Sequence, residues 1–511
     1  IGRGALNAQA TTAANGTVAI GYGAGAAITS GAGNTLVGYA AGDAINSGEN
    51  NTVLGYNALG ANVSGHLNVA IGVSALSSFI GGACVAIGRE ALRDLNHAST
   101  ADGTVAVGQG AGASLTSGAG NVAIGYQALD ADDGGNYSTA VGYQALTDQA
   151  GTSGDDAGNT AVGFKAGFDV SSGAYNTIMG RTAGFAISTG SNNIAIGAET
   201  AKGLTIGNHN TAVGTQALQT EDVGNHSTAI GFGALNKQNS NTDNEVTGNT
   251  GLGSYAGYYN VEGTENTLLG YEAGFGSNTY SHSNNTMIGH RAGKGILGGG
   301  SNTFVGDASG VAITSGDDNV CVGKGAGRSL TTGSDNIIIG SGSDAAANDR
   351  SSVIVIGKDL ESAANNHARI GGSNFSELNF SGTGNNWANT SDIRMKRNVV
   401  DSDLGLNFIN KLKPIKYQDK PTSEWTDELK STLNAKNIST ELNDTVFDGF
   451  VAQEVKKVAD DLGTTFGGWQ CEDEKDLSKR QMLQYDKFVV PLVKAVQELS
   501  QQLEDLKKKV N

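Results

Sequence analysis

The stretches "GNTAVGFKAG" (158–167), "HNTAVGTQAL" (209–218), "ENTLLGYEAG" (265–274) and "SNTFVGDASG" (301–310) are one unit written four times. Indexed by its central glycine, the unit recurs twenty times, from Gly21, Gly38, Gly55 and Gly72 to Gly323, Gly340 and Gly357, and fourteen of the nineteen intervals are 17 residues. A fixed period of this length marks a solenoid, whose coils bury their apolar faces only against one another. The residue before each glycine is apolar and usually Val or Ile, as at Ile20, Val37, Ile71, Val213 and Val305, which is strand chemistry. The position before that is nearly always apolar too, commonly Ala as at Ala123, Ala140 and Ala161. Neighbours along a strand point to opposite faces, so both faces are expected to be covered. One narrow coil has a single interior of its own. The second face therefore asks for a partner, and the same strand of neighbouring chains in a trimer is the expected one.

Four residues before the glycine, Asn fills fourteen of the twenty positions, including Asn34, Asn51, Asn176 and Asn302. Stacked coils would bring these amides into a ladder bonded from coil to coil. Three residues after the glycine, Ala recurs in sixteen coils, for instance Ala58, Ala128 and Ala273, which leaves little room there. With strands about 4.8 Å apart, the twenty coils predict a shaft roughly 100 Å long. Fragments such as "GYGAGA" from Gly21 and "GKGAG" from Gly323 mimic phosphate loops. Such loops need a helix opening at the phosphate, whereas this chain returns to another strand, so no nucleotide or other cofactor is expected.

The intervals Gly88–Gly108, Gly142–Gly163, Gly231–Gly253 and Gly270–Gly289 carry two to five extra residues. The additions, among them "NKQNSNTDNEVTG" after Leu235 and "GSNTYSHSNN" from Gly276, with Tyr280 and His282, are polar and are expected to loop outward. They are either tolerated insertions or receptor contacts, since loops on a rigid scaffold commonly carry binding.

Composition changes near residue 390. Of 77 glycines 72 precede it, whereas Pro414, Pro421 and Pro491 all follow. The first part holds 29 acidic against 14 basic residues and the second 21 against 19, so −15 of the net charge of −17 belongs to the first part. An acidic surface repels phosphate backbones and anionic lipid, which argues against nucleic acid and for carbohydrate or protein as partner. No apolar run reaches the roughly 20 residues of a membrane span, and no secretion signal opens the chain. It begins "IGRGALNAQ", without Met and already in repeat register, as expected of a fragment or a processed product. Cys84, Cys321 and Cys471 are too few and scattered for disulfides or zinc and are expected to be small buried residues. His282 and His367 lack a metal-ligand constellation, and acidic pairs such as Asp317 and Asp318 read as solvated turns.

Beyond the seam, "SDIRMKRNVVDSDLGLNFINKLKPIKYQ" from Ser391 reads as a capped turn or short helix, then an amphipathic helix ending before Pro414. "FDGFVAQEVKKVADDLG" reads as a strand entering a second helix closed by Gly463. Near the end, Leu492, Val496, Leu499, Leu503, Leu506 and Val510 recur at alternating spacings of four and three, a heptad seam that again demands neighbouring chains.

Two resemblances follow. Residues 1 to about 360 resemble the left-handed parallel β-roll heads of trimeric bacterial adhesins, whose repeats also centre on an Asn-containing strand ending in an aliphatic-Gly pair. The motifs "SDIRMKRNV", "INKLKPIKYQ", "FDGFVAQEV" and "LQYDKFVVPLVKAVQEL" resemble the C-terminal intramolecular chaperone of bacteriophage tail spikes and tail fibres of the endosialidase type, across Ser391 to Asn511. That resemblance implies a chaperone that trimerises, brings the shaft into register and cuts itself off with a Ser-Lys dyad. Carried over, Ser391 is the nucleophile and Lys396 the general base, with Thr390 and Ser391 flanking the scissile bond; Val399 stands where the family usually has Ile. A Ser hydroxyl needs an adjacent base, and an amine serves only when burial or like charge, here from Arg394 and Arg397, favours its neutral form. Taken by spacing alone, "SDIRMK" is a helix cap before a basic turn, with Asp392 as the cap.

The expectation is a mainly β protein: a trimeric parallel β-solenoid shaft over 1–360, a connector over 361–390, and an α+β chaperone ending in a coiled coil over 391–511. The implied role is a virion tail fibre or spike, a homotrimer meeting other virion tail proteins at one end and a host cell-surface glycan or protein along its length. Its only expected chemistry is a single self-cleavage, with no cofactor, metal or membrane insertion. The alternatives are a bacterial trimeric surface adhesin, which would need an outer-membrane barrel anchor, and a glycan-degrading spike, which would need paired carboxylates in a cleft.

Overall fold

The computed structural model describes residues 1–8, 15–95, 103–132, 134–150, 156–277, 279–362, 364–372, 375–381, 387–388, 396–425, 444–471 and 480–510. The chain divides into two compact units, Ile1–Asn389 and Thr390–Asn511.

The first unit is a parallel β-solenoid of about twenty turns, the mainly β architecture that the period implies. Each coil contributes one three-residue strand, from Val18–Ile20 through Ile337–Ile339 to Ile354–Ile356. Each strand pairs in parallel with its successor, as Thr177, Ile178 and Met179 do with Ile194, Ala195 and Ile196. The longer intervals keep this phase: Ile230 still opposes Leu252 and Leu269 still opposes Ile288. The central glycine stops every strand. At Gly180 φ is +136°, and a Cβ there would collide with the Gly197 carbonyl oxygen of the next coil, so no other residue fits the beat of the repeat.

The middle residue of each strand points inward and is buried, as at Ala195, Leu268 and Phe304, and the two flanking it point outward. Behind the strand, the coils come in two kinds. In one, a Gly four residues after the central glycine makes room for an aliphatic three further on, as with Gly42 and Ile45 or Gly184 and Ile187. A Cβ on Gly184 would lie 2.8 Å from the Ile187 Cδ1. In the other, a Leu takes that space, as at Leu59, Leu129 and Leu218, in the left-handed region with φ of 52°, 54° and 51°. After Leu76 and Leu92 the later position is Phe79 and Leu95, whereas after Leu59, Leu129 and Leu218 it is polar yet fully buried: Asn62, Asp132 and Glu221. Its side chain accepts a backbone N–H three residues on, from Gly65 (2.8 Å), Gly135 (2.9 Å) and Gly224 (2.8 Å).

Two expectations are corrected here. The inserted segments do not simply loop outward. Tyr280 is exposed, but Gln149, Gln238, Ser240, Thr247 and His282 are buried and form polar stations in the core. Residues 361–390, set apart as a connector, carry the last strands of the same sheet. His367–Gly372 is parallel to Ile354–Ile356, while Phe375–Ser381 and Trp387–Ala388 follow antiparallel.

The second unit is small and mixed. Helices α1 (Leu406–Lys411) and α2 (Ala452–Asp461) enclose an aromatic core with the start of α3 (Val489–Val510). Phe408, Val455, Ala459, Phe466 and Phe488 are buried together, with the Phe466 and Phe488 rings 4.6 Å apart. The strands Ile415–Tyr417 and Phe447–Gly449 pair antiparallel, as do Trp469–Cys471 and Gln481–Leu483. Glu498 on α3 accepts the Leu406 N–H at 2.7 Å and so caps α1, which has no capping side chain of its own. α1 ends before Pro414, and Gly463, with φ of +67°, closes α2, as the sequence reading anticipates.

Candidate functional site

The ladder that holds the shaft forms as its spacing implies. In the run Asn159, Asn176, Asn193 and Asn210, each buried side-chain oxygen accepts the backbone N–H of the Asn in the next coil, at 2.9, 3.0 and 2.9 Å. Each Nδ2 donates to a glycine carbonyl fourteen residues on, at 2.8–2.9 Å. A second run continues from Asn249 through Asn266, Asn285, Asn302 and Asn319 to Asn336. Backbone groups of the turns, which the short strands cannot pair, are thereby satisfied inside a dry core.

Outward lies a different surface. The aliphatic residue before each glycine is left half-buried or exposed in one chain, up to 48 % at Leu54 and 45 % at Met179. Beside this row, aromatic rings stack from coil to coil: Tyr22, Tyr39 and Tyr56 at 5.1 Å spacing, and Tyr126 on Tyr143 at the same distance. The heptad residues of α3 are exposed as well, from Leu492 at 47 % to Val510 at 79 %. One chain thus covers its inner row and leaves two outer rows wet.

Of the residues assigned to cleavage, Thr390 and Ser391 lie outside the described residues, as do Asp392 and Arg394. Lys396 and Arg397 are solvent-exposed in an irregular segment ahead of α1. Elsewhere the chemistry is quiet. Burial pushes the Cys321 thiol up to about 12, so it stays protonated and unreactive. Cys84 is buried too, and Cys471 is half-buried. His282, expected in an outward loop, is fully enclosed: Nε2 lies 3.2 Å from the Gly274 carbonyl, and Nδ1 is 3.3 Å from Asn266 Oδ1. Burial brings it down to about 4, so it is neutral. Asp317 sits in an exposed turn and accepts the Gly300 N–H at 2.7 Å. Among the described residues no cluster of His, Cys, Asp or Glu could hold a metal ion, and no helix is long and apolar enough to cross a membrane.

A long, regular parallel solenoid followed by a compact α+β unit is the class of molecule these features define. Residues 391–464 match a peptidase family described as "Chaperone of endosialidase", a match confined to the C-terminal unit. No curated protein and no solved structure matches the chain.

Proposed function

We propose that the chain is the shaft of a bacteriophage tail spike or tail fibre that contacts the host surface, folded and trimerised by a C-terminal intramolecular chaperone. In this reading the chaperone cuts itself away between Thr390 and Ser391, with Ser391 as nucleophile and Lys396 as general base. The observation that carries it is a coincidence of boundaries. The match to an endosialidase chaperone begins at residue 391, and the chain's two compact units part between Asn389 and Thr390. The wet rows on the shaft and on α3 favour a multimer, since both are continuous apolar surfaces of the kind that monomers seldom expose.

The chemistry asks little of the protein beyond placement. The Ser391 hydroxyl adds to the Thr390 carbonyl carbon as Lys396 takes its proton; the amine then returns that proton to the departing Ser391 nitrogen, leaving an ester that water opens. Lys396 is exposed in the single chain, so assembly is what would desolvate its amine, and cutting would follow correct folding. Mass spectrometry of the purified protein tests this. The expected result is a break before Ser391 in the parent and an intact chain for Ser391→Ala; an unbroken parent, or a variant cut at the same bond, refutes it.

A further inference from the structure

Of the six ladder positions that lack Asn, two carry Ser, and the same device repairs both. Ser138 and Ser227 stand at ladder positions. Eleven residues after each, a buried Gln reaches into the gap. Gln149 Nε2 donates to Ser138 Oγ at 3.0 Å, and Gln238 Nε2 donates to Ser227 Oγ at 2.8 Å. The Gln carbonyl accepts the amide of the next ladder residue, Asn159 at 3.0 Å and Asn249 at 2.9 Å, as an Asn would have done. Each Gln also donates to a buried carboxylate seventeen residues earlier, Asp132 at 2.8 Å and Glu221 at 2.7 Å. That carboxylate's other oxygen is held by backbone N–H groups, Gly135 at 2.9 Å in one case and Gly224 at 2.8 Å in the other.

We infer that the Asp132–Gln149 and Glu221–Gln238 pairs are registration keys that decide which coil stacks on which. Coils of nearly one sequence can stack wrongly, by extruding a coil or by accepting one from another chain. The ladder and the Ala rows hardly resist this, because every coil offers the same groups. The keyed coils differ. At the position of Gln149 and Gln238, most other coils present an aliphatic, such as Ile45, Val170, Ile187, Leu204 or Ile313. A slipped neighbour would set a methyl group against a buried carboxylate, and an uncompensated buried charge is strongly penalised. A polar pair that adds little net stability can still specify one pairing over another, as single buried polar residues do in coiled coils. The keys also sit beside the irregular intervals Gly142–Gly163 and Gly231–Gly253, where the fixed period gives no guidance.

The test refolds the full chain from urea and reads two quantities: the fraction recovered as a single native species, and amide exchange across residues 214–253. The first variant converts the second key into ordinary coils by Leu218→Gly, Glu221→Leu, Leu235→Gly and Gln238→Leu, copying the pattern of Gly184 and Ile187. It should keep amide protection within about tenfold once folded but lose most of its native yield to mispaired forms. Recovery at the parent's yield as one species overturns the inference. Should that variant not fold at all, the exchanged pair decides. Gln238→Glu alone sets two carboxylates face to face and should abolish recovery. Adding Glu221→Gln restores one acid and one amide and should bring recovery back to within about twofold of the parent. An exchanged pair no better than Gln238→Glu refutes the proposal.

Discussion

Replacing Asn193 by Ala removes one rung from the ladder, and its cost can be worked out bond by bond. The side chain donates to the Gly207 carbonyl at 2.8 Å and to Asn176 Oδ1 at 3.1 Å, and accepts the Asn210 N–H at 2.9 Å. The two donated bonds contribute about 1 kcal/mol net each, and the buried Asn210 N–H left without its acceptor costs a further 1–3 kcal/mol, so the loss should be about 3–5 kcal/mol. In a solenoid this destabilisation is local, because each coil contacts only its neighbours. Native-state amide exchange is therefore the assay: protection across residues 176–214 should fall by two to three decades, at about 1.4 kcal/mol per decade. Asn208→Ala is the control. Its Oδ1 accepts the Ser191 N–H at 2.9 Å in a half-buried turn that water can reach, and its cost should stay below about 1 kcal/mol. If Asn193→Ala changes exchange less than tenfold, or no more than Asn208→Ala, the ladder is not what holds the turns.

His282 makes the shaft acid-sensitive at one point. Its folded value, about 4, lies below its ordinary 6.5, so its contribution is complete above pH 6.5 and is lost as pH falls toward 4, up to about 3 kcal/mol. Amide protection across residues 266–302, taken relative to the unfolded-chain exchange rate at each pH, should fall over that window in the parent and not in His282→Gln. The outer row predicts oligomeric state: Leu54→Asp with Ile87→Asp should weaken association by at least tenfold in sedimentation, because both side chains are substantially exposed in a single chain. Amide protection of the coils carrying them should change little, and unchanged association would show that another face meets the partner.

Much of the fold was legible because the repeat is a direct imprint of backbone geometry. The spacing of Gly21, Gly38 and Gly55 records a φ that only glycine adopts, and Asn34 and Asn51 record turns that need an amide. The inner row was legible as apolar, but alternation could not say which of two apolar rows faced inward; the middle row, Ala in half of the coils and as large as Leu268 or Phe304 in others, faces inward, and the row next to the glycine faces outward. The insertions misled because polarity was taken as exposure. Gln238 and His282 are polar and buried, satisfied by partners in neighbouring coils, such as Glu221 and Ser227 for the first and Asn266 and Gly274 for the second, that composition cannot reveal. A signal was present: in five of the seven coils with Leu four residues after the central glycine, a polar residue stands three further on, as in Leu129 with Asp132 and Leu218 with Glu221. The assignment of Ser391 and Lys396 rests on resemblance alone, since a Ser and a Lys five residues apart carry no geometry of their own.

The two wet rows differ in what they can specify, and this difference gives the C-terminal helix a task the shaft cannot perform. Twenty aliphatics, partly to substantially exposed, would supply at most on the order of 20 kcal/mol for association at up to about 1 kcal/mol each, against roughly 4–15 kcal/mol of lost freedom. That row is periodic, so a copy displaced by one coil, about 4.8 Å, is covered almost as well. The α3 row is finite: displacement by one heptad strips a third of its contacts. In the proposed multimer the sheet row would therefore supply attraction without register, and the helix would supply register. Leu499→Ser, Leu503→Ser and Leu506→Ser, all at exposed positions, should leave chains associated but out of step. Single cysteines at Val213 and Ile230, one coil apart, report this when two such chains are mixed. In the parent background, links should form only between like positions. In the helix variant, links between 213 and 230 should appear at comparable frequency. An unchanged pattern of links would place the register in the shaft itself.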